Sequence, residues 1–292
     1  VDAEETEKMP FFPRLAQSAA RQMGRNLALS ESLSIYGDGI SPDEMTNLGK
    51  KTKEALASVA YFYLPTVRRK LTSAIDGTVK YLFELSDGNC IESVLMRYHH
   101  GNTICISSQV GCKMGCRFCM TGTLGFHGHL SAADILNQIF SIPDSDKLTN
   151  IVYMGEGEPM DNLDNVLRSL NAMTSAWGCA WSPKRITVSS VGITKGLKRY
   201  IEESECHLAI SLHNPFAIER QEVMPIEKVN HLSEVIALLK QYDWSHQRRV
   251  SFEYICWGGV NDTPKHANEL LRLLKGLDCR INLIRFHAGV DQ

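Results

Sequence analysis

The stretch CISSQVGCKMGCRFC, residues 105–119, holds four thiols in a short span. Cys112, Cys116 and Cys119 follow a C-x3-C-x2-C spacing, close enough for a glycine-containing loop to wrap them around one metal centre. Two chemistries suit such a loop. A closed zinc site needs a fourth ligand, for which His127 or His129 in GFHGH is a candidate. Such a site usually draws on paired C-x2-C units, and only one is present here. A four-iron cluster held by three thiolates instead leaves one iron without a protein ligand, open to a small molecule. The chain has nine cysteines, an odd number without even spacing or secretory context. A disulfide framework is therefore not expected, and the dense loop reads as metal or redox chemistry in a reducing compartment.

The elements that must position this loop follow from the hydrophobic pattern. Strand-like runs NTICISSQV, NIVYMGEG, RITVSSVGI, HLAISLHN, RRVSFEYIC and CRINLIRF are rich in β-branched residues. They alternate with helical patterns at residues 131–141, 163–175, 194–203, 232–242 and 264–277. Ser131, with Asp134 three residues on, predicts an N-cap for the first helix. Repeated β-α steps imply parallel strands and an α/β barrel, open or closed, whose chemistry gathers at the strand C-terminal ends. The unusual residues fall there: the cysteine loop after strand one, GEGEP after two, SS after three and SLHNP after four. Upstream, SPDEMTNLGKKTKEAL predicts a capped helix with a basic, polar face. SAIDGTVKYLFELSDGNCIESVLMRYHHGN predicts paired strands with turns at DG and HHG. The expected organisation is a helical accessory domain over residues 1–73, a β-hairpin linker over 74–101 and the barrel core over 102–292.

Composition sets the outer limits. The 292 residues are 43% apolar and 22% charged, which suits one large core with a smaller domain beside it. A net charge of −2 excludes a globally basic nucleic-acid binder and leaves room for a local basic patch. No apolar run is long enough to span a bilayer, and VDAEETEKMP is too acidic for a signal peptide. FFPRLAQSAARQMGR is basic and acid-free, which fits either an organellar address or a surface helix; a cytoplasmic location is the expectation. The chain starts at Val1, so its N-terminus is read as processed or incomplete.

With Phe118 in its aromatic place, the cysteine loop resembles the C-x3-C-x-aromatic-C signature of the radical S-adenosylmethionine enzymes. More narrowly, IESV, CISSQVGC, MGEGEP, ITVSSVG, SLHNP, EYI-x3-GVND and INLI occur in one order, with DEMTNL upstream. Over nearly the whole chain these resemble the RlmN/Cfr-type RNA methyltransferases. The resemblance implies a partial (β/α)6 radical-SAM barrel with a small N-terminal accessory domain and a β-hairpin linker. It implies a 4Fe-4S cluster and S-adenosyl-L-methionine as cofactors, a reductant such as flavodoxin or ferredoxin, and no membrane. The implied reaction is methylation of adenine carbon 2 in 23S rRNA and, for part of the family, tRNA. Alternatives are carbon 8 of adenine, or a non-catalytic zinc- or RNA-binding module.

In that family one cofactor molecule methylates a cysteine. A second yields a deoxyadenosyl radical that activates the methyl group for addition to adenine, and the protein–RNA bond is then broken. By position, the resemblance makes Cys112, Cys116 and Cys119 the cluster ligands and sets Phe118 near the cofactor's adenine. Cys105 matches the thiol that resolves the adduct, and Glu92 the proton acceptor. Gly157 and Glu158 match the segment that holds the cofactor's amino group; Ser189, Ser211, Leu212 and His213 match further cofactor contacts. Taken alone, Cys105 also reads as a buried strand thiol, Glu92 as a solvated hairpin carboxylate, the serines as helix caps and His213 as a core histidine. Cys90, Cys179, Cys206, Cys256 and Cys279 match no motif and read as packing residues. Lys50, Lys51, Lys53, Arg68, Arg69, Lys70, Lys184 and Arg185 are candidate phosphate contacts.

Three departures from the family pattern stand out. Glu156 replaces a Met, and His287 in INLIRFHAG stands where an Asn helps to hold the cofactor. The chain also stops at Gln292, before the ACG-type segment with the methyl-carrying cysteine. The expectation is that the sequence is part of a longer protein.

Overall fold

The computed structural model describes residues 50–51, 54, 64–175, 178–245 and 250–286. DEMTNL, Lys53, His287 and most of the expected accessory domain lie outside the described residues. The strands are β1 (Thr66–Thr72), β2 (Val79–Glu84), β3 (Cys90–Tyr98), β4 (Gly101–Cys105), β5 (Gln109–Gly111), β6 (Phe126–His129), β7 (Leu148–Tyr153), β8 (Ile186–Ser190), β9 (His207–Ser211), β10 (Val250–Cys256) and β11 (Cys279–Arg285). The helices are α1 (Met120–Thr123), α2 (Ala132–Phe140), α3 (Leu163–Thr174), α4 (Thr194–Glu203), α5 (Ala217–Val223), α6 (Leu232–Leu239) and α7 (Pro264–Leu274).

Nine strands form one sheet in the order β1-β2-β3-β4-β7-β8-β9-β10-β11, and β5 pairs with β6 in a separate ribbon. From β4 to β11 every pair in the sheet is parallel. Parallel neighbours need crossover connections, and helices supply them, giving the (β/α)6 arrangement expected for this chain. Register then sorts the side chains by face. Ile104, Ile151, Ile186, Leu208, Val250 and Phe252 are almost fully buried in the core with residues of α2, α3, α4, α6 and α7. The alternate residues Cys105, Val152, Thr187, Ser189, His207, Ser211 and Ser251 share the opposite, half-buried face. This second face carries four of the expected site residues, Glu92, Cys105, Ser189 and Ser211.

The Ser131 cap is a full capping box, its side chain and that of Asp134 each bonding the other's backbone N–H. Two expectations are corrected. NTICISSQV is not one strand: β4 ends at Cys105 and β5 starts at Gln109. Between them the Gln138 amide on α2 accepts from Ser107 N at 2.7 Å and donates to Ser107 O at 2.9 Å, which replaces the lost ladder bonds. The boundary after residue 73 also falls inside a hairpin, because β1 pairs antiparallel with β2. The residues expected as a linker are a wing of the main sheet, held by Val79, Tyr81, Phe83, Ile91 and Leu95, all buried.

Candidate active site

The cysteine loop leaves β5 through a tight pair of backbone crossings. Gly111 has φ = 70°, and a Cβ there would stand 1.9 Å from Gly125 O. Only glycine lets Cys112 N reach that same oxygen at 2.7 Å. Cys119 N then bonds Cys116 O at 3.1 Å, and Gly122 N bonds Cys119 O at 3.0 Å, which turns the chain into α1. Cys116 is buried, and Cys112 and Cys119 are half-buried. Burial pushes the Cys112 thiol up to about 11 and the Cys116 thiol up to about 12, so both are neutral until a metal displaces their protons.

Among the described residues, no three His, Cys, Asp or Glu side chains stand close enough to hold a single ion. Four ligands on one zinc, each with Zn–S near 2.3 Å, would have to lie within about 4 Å of one another. His127 Nε2 donates to Leu124 O at 3.1 Å, and His129 Nδ1 lies 3.0 Å from Gln109 Nε2. A four-iron cluster binds each thiolate through a different iron and accepts wider spacing. The donor set fits the cluster.

The GEGEP turn after β7 packs directly on β5. Gly157 has φ = 96°, and a Cβ on it would meet Gln109 Cβ at 2.5 Å and Gln109 N at 2.8 Å. This contact lets Glu158 N donate to Gln109 Oε1 at 2.9 Å. The Glu158 carboxylate is almost fully buried and accepts from Met160 N at 3.0 Å and Val191 N at 2.9 Å. Burial outweighs those bonds and raises its pKa to about 7. A buried carboxylate with spare lone pairs is a natural acceptor for an incoming amino group.

At the next strand ends, Ser189 and Ser211 are half-buried on the open face of the sheet. Ser190, the neighbour that was not singled out, is the serine directed to Glu158. His213 is buried in the left-handed region at φ = 55°, and its Nδ1 accepts from Ile255 N at 3.1 Å. Burial lowers its pKa to about 3, so the ring is neutral. Its edge meets the Phe118 ring at a centroid distance of 4.7 Å, and Trp257 extends this aromatic wall at 5.7 Å from Phe118. Leu212 differs from expectation. Its side chain is fully buried in the core, its backbone N–H bonds Glu253 O, and its carbonyl accepts from Arg220 Nε at 3.0 Å.

Cys105 lies on the open face, opposite Val94 in the β3–β4 register. Glu92, two residues along β3, shares that face, and its carboxylate pairs with Lys80 at 2.7 Å. Burial pushes the Cys105 thiol up to about 11, so it acts as a nucleophile only with help from a base.

Two buried charges at the site carried no recognised role in the sequence. Glu156 accepts from Glu92 N at 3.0 Å and from Gly111 N at 3.1 Å, which ties β3 to the entry of the cysteine loop. Arg220 on α5 is fully buried, bonds the ends of β8 and β9, and pairs with Glu227. Losing one partner of such a pair costs about 3–5 kcal/mol. The seven residues of α5 are too few for hydrophobic periodicity to reveal, which hid Arg220.

Of the basic candidates, Lys50 and Lys51 are exposed. Arg68, Arg69 and Lys70 are exposed on edge strand β1, where Arg68 pairs with Glu84. Lys184 and Arg185 sit at the N-terminal end of β8, away from the site. Cys90 is exposed rather than packed, whereas Cys206 is buried. A cavity of about 510 Å³ between α3 and α4 is lined by Asp164, Arg168, Asn171 and Arg199. It lies among the helices outside the sheet, away from the cysteine loop.

Residues 106–274 match the Radical SAM superfamily. A probable dual-specificity RNA methyltransferase RlmN from Bacteroides fragilis is 51% identical over 97% of this chain and 85% of its own length. One of the same description from Bacteroides thetaiotaomicron is 55% identical over 85% of this chain and 72% of its own. A radical SAM methyltransferase from Sphaerobacter thermophilus superposes with a TM-score of 0.77 at 37% identity, covering 84% of this chain and 73% of that one. The chain belongs to the radical SAM superfamily and, within it, to the RlmN family of RNA methyltransferases. Its cofactors are accordingly a 4Fe-4S cluster and S-adenosylmethionine. Among the described residues no helix is long and apolar enough to cross a membrane.

Proposed function

We propose that this chain serves the methylation of carbon 2 of an adenine in 23S rRNA, with tRNA as a second substrate, and that the transfer needs a methyl-carrying cysteine of the ACG type. The observation that carries the reading is one juxtaposition in a chain of this family. Three thiols sit in the loop beyond the first parallel strand, and a buried carboxylate sits at the end of the second. The description "dual-specificity" borne by the relatives supports two RNA classes.

When bound, the cluster and S-adenosylmethionine supply one-electron chemistry, which reaches a ring carbon that is too electron-poor to attack a methyl sulfonium. The chain's own residues bind, orient and move protons around that chemistry. Cys112, Cys116 and Cys119 hold the cluster and leave one position open. Glu158 and the Gly157 turn receive the cofactor's amino group, and Phe118 and His213 line the side where its adenine rests. Ser189 and Ser211 contribute further contacts, with the Leu212 side chain buried in the core beside them. Cys105 resolves the protein–RNA adduct, and Glu92 takes a proton on the same face. Residues 1–73 and the exposed Arg68, Arg69 and Lys70 grip RNA phosphates, and a flavodoxin or ferredoxin supplies electrons.

The test incubates reduced protein with methyl-labelled cofactor and 23S rRNA, then locates the label by mass spectrometry. It is run on the chain as given and on the chain followed by an ACG-type segment. Label on adenine carbon 2 is expected with that segment; label on carbon 8 would replace this reading with the alternative regiochemistry.

A further inference from the structure

We infer that Arg220 is a positioning residue for the cofactor site, locking the ends of β8 and β9 and raising the reduction potential of the cluster through its charge. Nε donates to Leu212 O at 3.0 Å, and Nη2 donates to Val191 O at 2.9 Å and to Ser211 O at 2.8 Å. Nη1 bonds the Glu227 carboxylate. One side chain thus binds three carbonyls from two neighbouring strand ends, the ends that carry the proposed cofactor contacts. Val191 is held from both sides, because its N–H donates to Glu158 while its carbonyl accepts from Arg220. The guanidinium and the Glu158 carboxylate therefore grip the two peptide units that flank one residue, Val191.

The same helix reaches the cysteine loop. Arg117 N, between Cys116 and Phe118, donates to Val223 O at the last residue of α5, at 3.0 Å. Arg220 is fully buried, so its charge acts there through little water and weak screening. Buried on the helix that is hydrogen-bonded to the loop beside Cys116, this positive charge favours one added electron on the metal centre that the loop holds. Glu227 acts with the opposite sign. It is nearly fully buried and is fixed by Leu232 N, 3.1 Å from each of its oxygens.

This inference rests on the reading of Cys116 as a cluster ligand, and the experiment separates the two. The chain and its R220K, R220M and E227Q variants are loaded with iron and sulfide under anaerobic conditions. Each is titrated with titanium(III) citrate, every titanium(III) giving one electron to one cluster and becoming titanium(IV), with the reduced signal followed by electron paramagnetic resonance. Iron content and S-adenosylmethionine affinity are measured in parallel. R220M is expected to lower the potential and E227Q to raise it. R220K, which keeps the charge and loses the planar fork, should hold the potential while weakening cofactor binding roughly tenfold. If R220M does not fold, R220K and E227Q still decide the question. A loaded cluster with an unmoved potential in E227Q, or unchanged cofactor affinity in R220K, would overturn the inference and leave the cluster assignment standing. Wild-type protein that takes up no iron would overturn both.

Discussion

Gly157→Ala isolates the close approach that sets the cofactor turn against the cysteine loop. At φ = 96° an alanine pays a left-handed penalty of about 1–2 kcal/mol. Its Cβ would also lie 2.5 Å from Gln109 Cβ and 2.8 Å from Gln109 N, and a strand backbone cannot move aside cheaply. Overpacking of that kind costs about 1–3 kcal/mol, so the sum is about 2–5 kcal/mol. For a domain this large, 1 kcal/mol shifts the melting temperature by about 2–4 °C, so the expected loss is about 4–20 °C. Gly88→Ala is the control. Gly88 has φ = 84° in the β2–β3 turn with nothing within 4 Å of its missing Cβ, so it reports the backbone penalty alone. Differential scanning calorimetry of the metal-free proteins compares the two. A Gly157→Ala variant that melts with Gly88→Ala would refute the steric argument and the claim that the turn is clamped on β5.

Glu158→Gln should change the pH dependence of stability. The folded pKa of Glu158 is raised to about 7 from an ordinary 4.5, so its stabilising contribution is full below pH 4.5 and is lost as pH rises through 7. The metal-free variant should therefore gain on wild type by up to about 3 kcal/mol between pH 4.5 and 7.5, read from urea midpoints; parallel curves would contradict the burial argument. The same variant, once loaded with iron, should bind S-adenosylmethionine about 10- to 150-fold more weakly, since a hydrogen bond to a charged group is worth about 1.5–3 kcal/mol. Cys105→Ala, in the chain followed by an ACG-type segment, should keep its iron and accumulate a protein–RNA crosslink on denaturing gels; normal turnover would return Cys105 to a packing role. Glu156→Leu should speed hydrogen exchange at the amides of Glu92 and Gly111, both of which donate to its carboxylate. Unchanged protection there would show that the tie between β3 and the loop is not maintained in solution.

The parallel strands were legible because each is a short β-branched run ending in polar residues, and their C-terminal ends gathered the motifs as the fold class requires. β-Branched runs do not reveal where pairing stops, which is why β4 and β5 read as one strand although Gln138 takes over at Ser107. The strand at residues 66–72 was hidden by its exposed basic residues, since an edge strand needs no apolar alternation. The cysteines were found by spacing, which local sequence carries, and Glu158 by the family resemblance of the GEGEP motif. Glu156 and Arg220 act through partners tens of residues away, Glu92 at one and Val191 at the other, and no local pattern marks such pairings. Ser189 and Ser190 show the limit of a motif: SS marks the strand end, but only the pleat decides which serine turns toward Glu158.

The most direct measurement is the iron and acid-labile sulfide content of anaerobically prepared protein, with its resonance spectrum before and after S-adenosylmethionine is added. The account predicts about four irons and four sulfides per chain, and a reduced-state signal that changes shape when the cofactor binds the open iron. It also predicts that Cys112→Ala, Cys116→Ala and Cys119→Ala each lose that cluster. Colourless protein holding one zinc, or a full cluster that survives any one of the three substitutions, would contradict it.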